Sequence, residues 1–565
     1  MNSENSQNNI SSNNAINTHK RVISDDLSDD ELAFAIINNG SINDPVTYKQ
    51  AIESSNAKNW KIAMKKEIDD LKSQNTWKLV NAPKNRQIIK GRWVFKTKLD
   101  KTGFIDKYKA RWVAKGFQQK YGIDYIETFS NTVKPMVFRA LFALAAFKDL
   151  EIQQWDIKST FPNASIDEEI DVIQPIGFEE NSNQVCLLNK ALYGLKQSAR
   201  QFYLFLANLL KELNFNSIIA DQSVFYNSEN NTTITAHIDD LLVFAENKNE
   251  INSLKQQLKR KLELSDLGNI SYYLGMEISR DRTKNKLFLS QKKYINELLS
   301  KFNINGDKPI YSPSVQGVRL EKNIEQAELK DMNLYQQQIG SLMYLMTATR
   351  PDIAFSVSNC ARFMSNPNKE HFNALNRIWQ YVKTTKNKGL LYESSDDFLT
   401  LKGYVNSDWG GDFTTRKSTT GYLFLLGNAP ISWSSKLQKS VAISSCEAEY
   451  MALKEAAKEL VWLKALFKQL KPLNSIIADT LYCDNKSAID LSKNPEYHAR
   501  TKHIDIQYHF IRDYIKKEIF KLKYINTKEQ LADALTKTLN VNDFRKFVNC
   551  INLNEKTESN KKMKT

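Results

Sequence analysis

Two adjacent carboxylates, Asp239 and Asp240, interrupt a largely apolar stretch that covers residues 234–245. The residues on either side are mostly β-branched, aliphatic or aromatic, which predicts two strands joined by a tight turn. An unpaired carboxylate is costly to bury, so two of them inside such a hairpin indicate either a metal site or a solvent-exposed acidic turn. The pattern alone does not decide between these alternatives.

A third carboxylate upstream favours the metal site. Asp156 follows Gln154 and Trp155 in a second predicted strand, and Phe161 comes five residues later. Three convergent carboxylates can hold two Mg²⁺ ions, which clamp the attacking and leaving oxygens of a phosphoryl transfer. We therefore expect polymerase chemistry, with Asp156 and Asp239 as metal ligands. Asp240 is expected to give nearby support, because successive strand residues point to opposite faces.

Length and composition limit the class of protein. A chain of 565 residues has room for two or three domains, and its net charge of +15 favours a polyanionic partner, with nucleic acid ahead of an acidic membrane surface. No apolar run is long enough to span a bilayer and no signal peptide is recognisable, so we expect an intracellular protein. The five cysteines include no Cys-x-x-Cys pair, which argues against a disulfide framework or a zinc knuckle.

Positive charge is concentrated in residues 84–120, which contain twelve Lys or Arg against two Asp. Such a run is often only a solvated face. Aromatic residues are interleaved with it, namely Trp93, Phe95, Phe104, Tyr108, Trp112 and Phe117. The mixture favours a nucleotide-binding surface that combines phosphate contacts with stacking.

These motifs, taken in order, resemble the reverse transcriptase of copia-type LTR retrotransposons. The most specific match is residues 188–200, Leu-Asn-Lys-Ala-Leu-Tyr-Gly-Leu-Lys-Gln-Ser-Ala-Arg, and residues 108–117 match a finger motif. The family's hairpin usually reads Tyr-Val-Asp-Asp, so His237 stands where the family has an aromatic residue, and we expect impairment rather than loss. The resemblance covers roughly residues 48–540. It implies an α+β chain in which a right-hand polymerase of fingers, palm and thumb precedes an RNase H-like α/β domain.

The resemblance also implies roles for individual residues. Lys109 and Arg111 would hold the incoming triphosphate, and the ring of Phe161 would exclude a 2′-hydroxyl. The remaining candidates are two substrate-positioning residues and two residues of the primer grip, respectively Gln197, Arg200, Leu274 and Gly275.

In the RNase H-like domain the family cuts phosphodiesters with a carboxylate cluster and two Mg²⁺ ions. The matching carboxylates are Glu449, Asp484 and Asp533, with Glu449 and Asp484 as metal ligands. The family's first-strand Asp is replaced by Asn406, and an amide is a weaker Mg²⁺ ligand. Asp408 lies two residues along the same strand, too far to replace it, so we expect weak or absent nuclease activity. His503 could assist product release, although a surface or packing role is commoner.

The predicted organisation has five parts. They are an Asn- and Ser-rich disordered leader (residues 1–45), fingers and palm (46–285), thumb and connection (286–395), the RNase H-like domain (396–540) and a basic tail (541–565). The expected partners are an RNA template, a DNA primer, an RNA/DNA hybrid and deoxynucleoside triphosphates, with no membrane. The resemblance implies a cytoplasmic location in a virus-like particle, and the basic end could direct import into the nucleus. The sequence leaves oligomerisation and the choice of primer open.

One alternative stays open. The chain could be a degenerate or domesticated nucleic-acid-binding protein that keeps the fold and charge without catalysis. His237, Asn406 and the substitutions Pro162 and Ala164 in the turn after Asp156 favour that alternative, because proline fixes φ and alanine disfavours a positive φ. The three intact polymerase carboxylates favour the enzyme.

Overall fold

A computed structural model describes residues 44–99, 104–306, 308–324, 328–394, 400–470, 476–493 and 505–556. The chain divides into two compact units. The first comprises the described residues up to Phe129 together with Phe161–Phe202, and the second comprises Ser130–Thr160 and the described residues from Tyr203 onward. Nearly all of the predicted leader, and His503, lie outside the described residues.

The first unit is built around two helices and two small antiparallel sheets. Its elements are α1 (Tyr48–Glu53), α2 (Ala57–Ser73), β1 (Trp77–Asn81), β2 (Gly91–Leu99), β3 (Ile105–Ala114), β5 (Asp171–Val172) and β6 (Gln184–Leu188). Strands β1, β6 and β5 form one sheet, and β2 pairs with β3 in the other. Apolar side chains at helical spacing in α2, including Trp60, Met64 and Ile68, are buried against the hairpin.

The β2–β3 hairpin separates its aromatic and basic residues onto opposite faces. Trp93, Phe95 and Trp112 are at most 5% exposed and belong to the core. Lys109 and Arg111 alternate with the buried Ala110 and so share the other face. The predicted mixture of phosphate contacts and stacking is therefore wrong for those three aromatic residues, because strand alternation commits them to packing.

The second unit contains an antiparallel sheet in the order β11-β4-β10-β9-β8-β7. Its strands are β4 (Glu151–Ile157), β7 (Asn216–Ser217), β8 (Val224–Asn227), β9 (Thr232–His237), β10 (Asp240–Ala245) and β11 (Leu264–Asn269). The associated helices are α3 (Pro135–Phe147), α4 (Ser198–Glu212, whose first residues belong to the first unit) and α5 (Lys248–Lys259). Helix α3 begins with a proline at its first position, where no hydrogen bond is lost, and nearly every residue after it is buried.

A second antiparallel sheet has the order β12-β13-β14-β15-β21. Its strands are β12 (Tyr272–Tyr273), β13 (Met276–Asp281), β14 (Lys286–Ser290), β15 (Lys388–Glu393) and β21 (Leu553–Glu555). The helices between β14 and β15 are α6 (Lys292–Lys301), α7 (Leu329–Ala348), α8 (Ala354–Ala361) and α9 (Lys369–Thr384). Among described residues, no helix combines the length and the apolar character that crossing a bilayer requires.

A third, mixed sheet has the order β18-β17-β16-β19-β20. Its strands are β16 (Thr400–Ser407), β17 (Thr419–Leu426), β18 (Ala429–Leu437), β19 (Ile477–Cys483) and β20 (Lys521–Tyr524). The first three strands are antiparallel, whereas β19 and β20 run parallel to β16. The accompanying helices are α10 (Ser445–Gln469), α11 (Lys486–Lys493) and α12 (Asp505–Lys516). This meander followed by parallel strands and helices agrees with the RNase H-like α/β domain that the resemblance implies.

The start of the predicted basic tail is folded. Residues 541–555 form α13 (Val541–Cys550) and β21, and β21 pairs with β15. Phe544, Phe547 and Val548 have helical spacing and are buried. Their apolar face explains why the segment packs although the chain end is basic. The mixture of antiparallel sheets and helices confirms the α+β class, while the domain boundaries stay predictions.

Candidate active sites

The palm carboxylates meet where β4 lies beside the β9–β10 hairpin. Asp240 of β10 is the direct cross-strand partner of Asp156 of β4. Directly opposite residues of an antiparallel pair share one face, with Cβ atoms about 5 Å apart. Gln154, two residues before Asp156, also donates from Nε2 to Oδ1 of Asp240 at 3.4 Å. The pairing register therefore places Asp240 directly beside Asp156. The sequence had predicted only a supporting position for Asp240.

Asp239 occupies the two-residue turn between β9 and β10. The backbone N–H of Ile157 donates to the carbonyl oxygen of Asp239 at 3.0 Å, which ties the turn to the end of β4. Ile238, the other turn residue, has a φ of +56°. A β-branched residue rarely adopts this conformation, so the turn stores strain beside the carboxylates.

His237 is the cross-strand partner of Asp240 within the hairpin. Burial lowers the pKa of its imidazole to about 4. The ring is therefore neutral at pH 7 and adds no positive charge beside the carboxylates. A buried, uncharged and planar imidazole at position 237 can therefore take the place of the family's aromatic ring.

After β4, Ser159 has a φ of +46°, and a regular 3₁₀ turn then begins at Phe161, where the first unit resumes. Phe161–Asn163 form a single 3₁₀ turn, and the N–H of Ala164 donates to the carbonyl of Phe161 at 2.9 Å. Ala164 does not have a positive φ. The strain that Ala164 suggested in the sequence is therefore absent from this described turn.

Two predicted nucleotide-binding residues of the first unit meet at one tyrosine. The guanidinium carbon of Arg111 lies 4.2 Å from the ring centroid of Tyr193. The ring of Phe161 packs edge-on against Tyr193, with centroids 4.7 Å apart. Sequence reasoning missed Tyr193 as a site residue, although it lies inside the most specific motif. Lys109 shares the basic face of β3 with Arg111.

Gln197 and Arg200 are engaged within the first unit. Gln197 is fully buried, and its Nε2 donates to the carbonyl of Asp124 at 2.8 Å while its Oε1 accepts from Gln119 at 3.0 Å. A direct substrate contact would break these bonds, so this amide holds the loop around Asp124. Arg200 forms an ion pair with Glu127 and remains partly exposed.

The predicted primer-grip residues form the turn between β12 and β13 in the second unit. Leu274 and Gly275 have positive φ angles of 44° and 76°. The hydroxyl of Tyr344 in α7 donates to the carbonyl of Leu274. A Cβ on Gly275 would lie 2.7 Å from that hydroxyl, so glycine is required by the space as well as by the backbone.

In the RNase H-like domain, Asn406 points at a predicted metal ligand. Its Nδ2 donates to Oδ1 of Asp533 at 2.6 Å and to the hydroxyl of Thr536 at 2.7 Å. The ammonium of Lys537 lies 2.9 Å from Oδ2 of Asp533. Both oxygens of Asp533 are thus neutralised or bonded by protein groups. Sequence reasoning missed Lys537, which comes one helical turn after Asp533 and could be found by that spacing.

The other nuclease carboxylates form a cluster with a cysteine. Ligand atoms of Glu449, Cys483 and Asp484 lie within 4.8 Å of one another. Burial, followed by the charge of Asp484, raises the pKa of Glu449 to about 8. Asp484 accepts a hydrogen bond from the hydroxyl of Thr527 at 2.8 Å. Cys483 was not predicted to take part, because a residue next to a strand carboxylate is expected to face away.

Asp408 lies just beyond β16, and its hydrogen bonds stabilise the loop that follows. Its carboxylate accepts the backbone N–H of Thr419, and burial raises its pKa to about 6. Its own N–H donates to the carbonyl of Thr419 at 3.2 Å. These bonds agree with the expectation that Asp408 does not replace the missing first-strand ligand.

Comparison with known proteins places the chain in a family. Residues 74–316 match the reverse transcriptase (RNA-dependent DNA polymerase) family. The chain is 42% identical over 511 residues to the Retrovirus-related Pol polyprotein from transposon TNT 1-94 of Nicotiana tabacum, covering 89% of this chain and 38% of that polyprotein. It is 32% identical over 310 residues to the putative transposon Ty5-1 protein of Saccharomyces cerevisiae, covering 54% of this chain and 100% of that protein.

A solved structure of a foamy viral protease-reverse transcriptase in complex with double-stranded DNA aligns with a TM-score of 0.43 and 13% identity, over 83% of this chain and 70% of that one. The chain spans little more than a third of the Pol polyprotein of transposon TNT 1-94. The sequence relatives and the matched domain together give its family: this chain belongs to the copia-type retrotransposon Pol proteins and contains their reverse transcriptase domain.

Proposed function

We propose that this chain is an RNA-directed DNA polymerase that extends a DNA primer on an RNA template with deoxynucleoside triphosphates. One observation carries the proposal: Asp156 and Asp240 lie directly opposite each other on paired strands, and Asp239 occupies the adjoining turn. Family membership supports the reaction class. The excess of basic residues supports a nucleic acid as the partner.

The donor groups of the palm fit a hard divalent cation. Three carboxylates and the nearby amide of Gln154 offer oxygen ligands, which Mg²⁺ prefers, and the neutral His237 does not compete as a cation. Two Mg²⁺ ions held by Asp156, Asp239 and Asp240 would stabilise charge on the entering and leaving oxygens. The chain's own part is to hold the carboxylates in place through the β4–β10 pairing and the Asp239 turn.

Residues of the first unit would bind the nucleotide. Arg111 stacks on Tyr193, which fixes the guanidinium plane, and a planar fork suits bidentate contacts with phosphate. Lys109 adds a second positive charge on the same strand face. Phe161, supported by Tyr193, would stand beneath the sugar.

Primer extension on an RNA template tests the proposal. The unmodified chain should elongate a labelled DNA primer with Mg²⁺ and should stop when the metal is chelated. Asp239→Asn should abolish extension and leave template-primer affinity, measured by fluorescence anisotropy, within about threefold, because one carboxylate among many basic residues contributes little to binding. Equal extension rates for the two proteins would refute the assignment.

The two-ion arrangement does not fit the nuclease centre, because Asn406 donates a hydrogen bond to Asp533 instead of adding a carboxylate. We therefore propose that hybrid cleavage is weak or absent. Asn406→Asp should restore it in part with Mg²⁺, and primer extension should be unchanged. Cleavage of a labelled RNA/DNA hybrid measures this. Strong cleavage by the unmodified chain that is lost in Asp408→Asn would show that Asp408, and not position 406, supplies the first-strand carboxylate.

The alternative is a nucleic-acid-binding protein without catalysis. His237 and Asn406, which both depart from the family's motifs, favour it. It predicts template-primer binding without extension under all metal conditions. The same two measurements, anisotropy and extension, therefore separate the two functions.

A further inference from the structure

The nuclease centre contains a group of donors that suits a different metal from the one its family uses. Asp533 is withdrawn from this group, because Asn406 bonds one of its oxygens and Lys537 the other, at 2.6 and 2.9 Å. What remains together is Glu449, Asp484 and the thiol of Cys483, with ligand atoms within 4.8 Å of one another. The centre thus offers one sulfur and two carboxylates.

An independent observation indicates that a ligand belongs there. Glu449 is 6% exposed, and its Oε2 is buried with no hydrogen-bond partner among the residues that the structure describes. A buried carboxylate oxygen without a hydrogen-bond donor loses the hydration it has in water and gains nothing in return. A cation bound beside Cys483 and Asp484 would satisfy it.

We propose that Glu449, Cys483 and Asp484 bind a single thiophilic divalent cation, with Zn²⁺ as the physiological candidate. Thiolate selects zinc over magnesium, whereas Mg²⁺ takes oxygen ligands in octahedral geometry. Three protein ligands would leave one position of a tetrahedral Zn²⁺ site open to water. The proposal does not depend on polymerase activity.

The geometry requires a modest closure. Zn–S and Zn–O bonds of about 2.3 and 2.1 Å place tetrahedral sulfur and oxygen ligands about 3.6 Å apart, so ligand atoms that lie within 4.8 Å of one another would move closer by at most about 1.2 Å. Side-chain rotation of Glu449 and Asp484 can supply this. Binding transfers the thiol proton of Cys483 to water as the metal–sulfur bond forms, because a cysteine ligand is a thiolate.

Cadmium binding to the full chain tests the site. Cd²⁺ should bind with a stoichiometry of one and give a near-ultraviolet thiolate-to-cadmium absorption, and excess Mg²⁺ should fail to displace it. The affinity for Zn²⁺ is measured by competition with a chromophoric chelator. It should fall by at least about tenfold in Cys483→Ser and in Glu449→Gln, because even the loss of a group that only hydrogen-bonds to a ligand lowers metal affinity by that factor. Thermal melting of each variant establishes that it is folded.

Two matched cysteine variants serve as controls. Cys550 is exposed and is not part of the cluster. Cys446 lies in α10, three residues before Glu449, and is not part of the cluster either. Both Cys550→Ser and Cys446→Ser should retain the cadmium absorption. Absence of the absorption in the folded chain, its displacement by Mg²⁺, its survival in Cys483→Ser, or its loss in Cys446→Ser would each overturn the proposal.

Discussion

Phe161 is held in place by aromatic neighbours of the first unit. Its ring lies edge-on to Tyr193 and, at 6.4 Å between centroids, to the buried Phe202. Edge-to-face contacts of this kind fix the orientation of a ring more firmly than an isolated side chain would be fixed. A rigid ring can act as a steric wall against a 2′-hydroxyl.

Phe161→Ala should therefore admit ribonucleotides. Removing the ring opens the volume that the hydroxyl needs, so the preference for deoxynucleotides should fall by about tenfold or more, as expected when a pocket wall is lost. Competition between the two sugars during primer extension measures the preference. Phe117→Ala, which removes an exposed ring of the same unit, should leave it unchanged. Unaltered sugar selection in Phe161→Ala would reject the role.

Glu67 makes the first unit sensitive to pH. It lies in α2, and its Oε1 accepts the N–H of Trp112 at 3.3 Å. Burial raises its pKa to about 7, against the opposing charge of Arg111. The folded pKa exceeds the unfolded value of 4.5, so its stabilising contribution is complete below pH 4.5 and is lost as pH rises towards 7.

The loss should be on the order of 1–2 kcal/mol, allowing for partial exposure of the side chain. Glu67→Gln should flatten the fall in unfolding free energy between pH 4.5 and 8, measured with denaturant. Glu53→Gln, at an exposed position of α1, should not. An identical pH profile for Glu67→Gln and the unmodified chain would contradict this assignment.

Individual site residues could be predicted from the sequence where a motif requires a particular kind of side chain. The sequence identified Asp156, Asp239 and Asp240 because carboxylates between apolar strands are unusual, and the strand register then brought Asp156 and Asp240 opposite each other. It could not identify Tyr193 as the support of Arg111, or Cys483 as a neighbour of Glu449. Those contacts join segments that are distant in the chain, and no local pattern encodes them.

Among the elements, the β12–β13 turn depends on α7. Gly275 and Gly268 share nearly the same φ, 76° and 75°. A Cβ on Gly275 would meet the hydroxyl of Tyr344, whereas one on Gly268 would meet nothing within 4 Å. The two glycines therefore separate the cost of backbone strain from the cost of a packing conflict.

Gly268→Ala should destabilise the chain by about 1 kcal/mol, the cost of a left-handed alanine. Gly275→Ala should cost about 1–3 kcal/mol more, because the added methyl group overpacks a filled site. Denaturant unfolding measures both values. In a Tyr344→Phe background the excess should shrink, and equal costs for the two glycine variants in the unmodified background would show that the contact with Tyr344 is unimportant.

Element order was largely predictable, because the periods of apolar residues differ clearly between strands and helices. Helix α10 at Ser445–Gln469, for example, buries apolar residues at helical spacing, among them Leu453, Ala456 and Leu460. The C-terminal α13 and β21 were not expected, because the chain end was interpreted from its net charge alone. Phe544, Phe547 and Val548 nevertheless form an apolar helix face there. The net charge of a segment affects its solubility, whereas the apolar surface that it can bury determines whether it packs against the rest of the chain.

At the scale of the whole molecule, one buried arginine links distant parts of the second unit. Arg139 of α3 is 3% exposed, and its Nε donates to the carbonyl of Ile431 in β18 at 2.8 Å. Its guanidinium carbon lies 3.9 Å above the ring of Trp433, and Nη1 donates to the carbonyl of Ala348 at 3.0 Å. Arg139 thus joins helix α3 of the palm to the RNase H-like sheet through polar contacts. The apolar pattern of α3 could not predict these contacts.

We propose that the palm carboxylates catalyse DNA synthesis on RNA. The most direct measurement is the single-turnover rate of RNA-templated primer extension by the full chain and by Asp156→Asn and Asp240→Asn, with the exposed Asp331→Asn as the matched control. Because Asp156 and Asp240 face each other across β4 and β10, both substitutions should reduce the rate by at least about a thousandfold, roughly 4 kcal/mol in the barrier. Asp331→Asn should retain the parental rate. Extension at the parental rate by either palm variant, or no extension by the unmodified chain, would contradict this catalytic role.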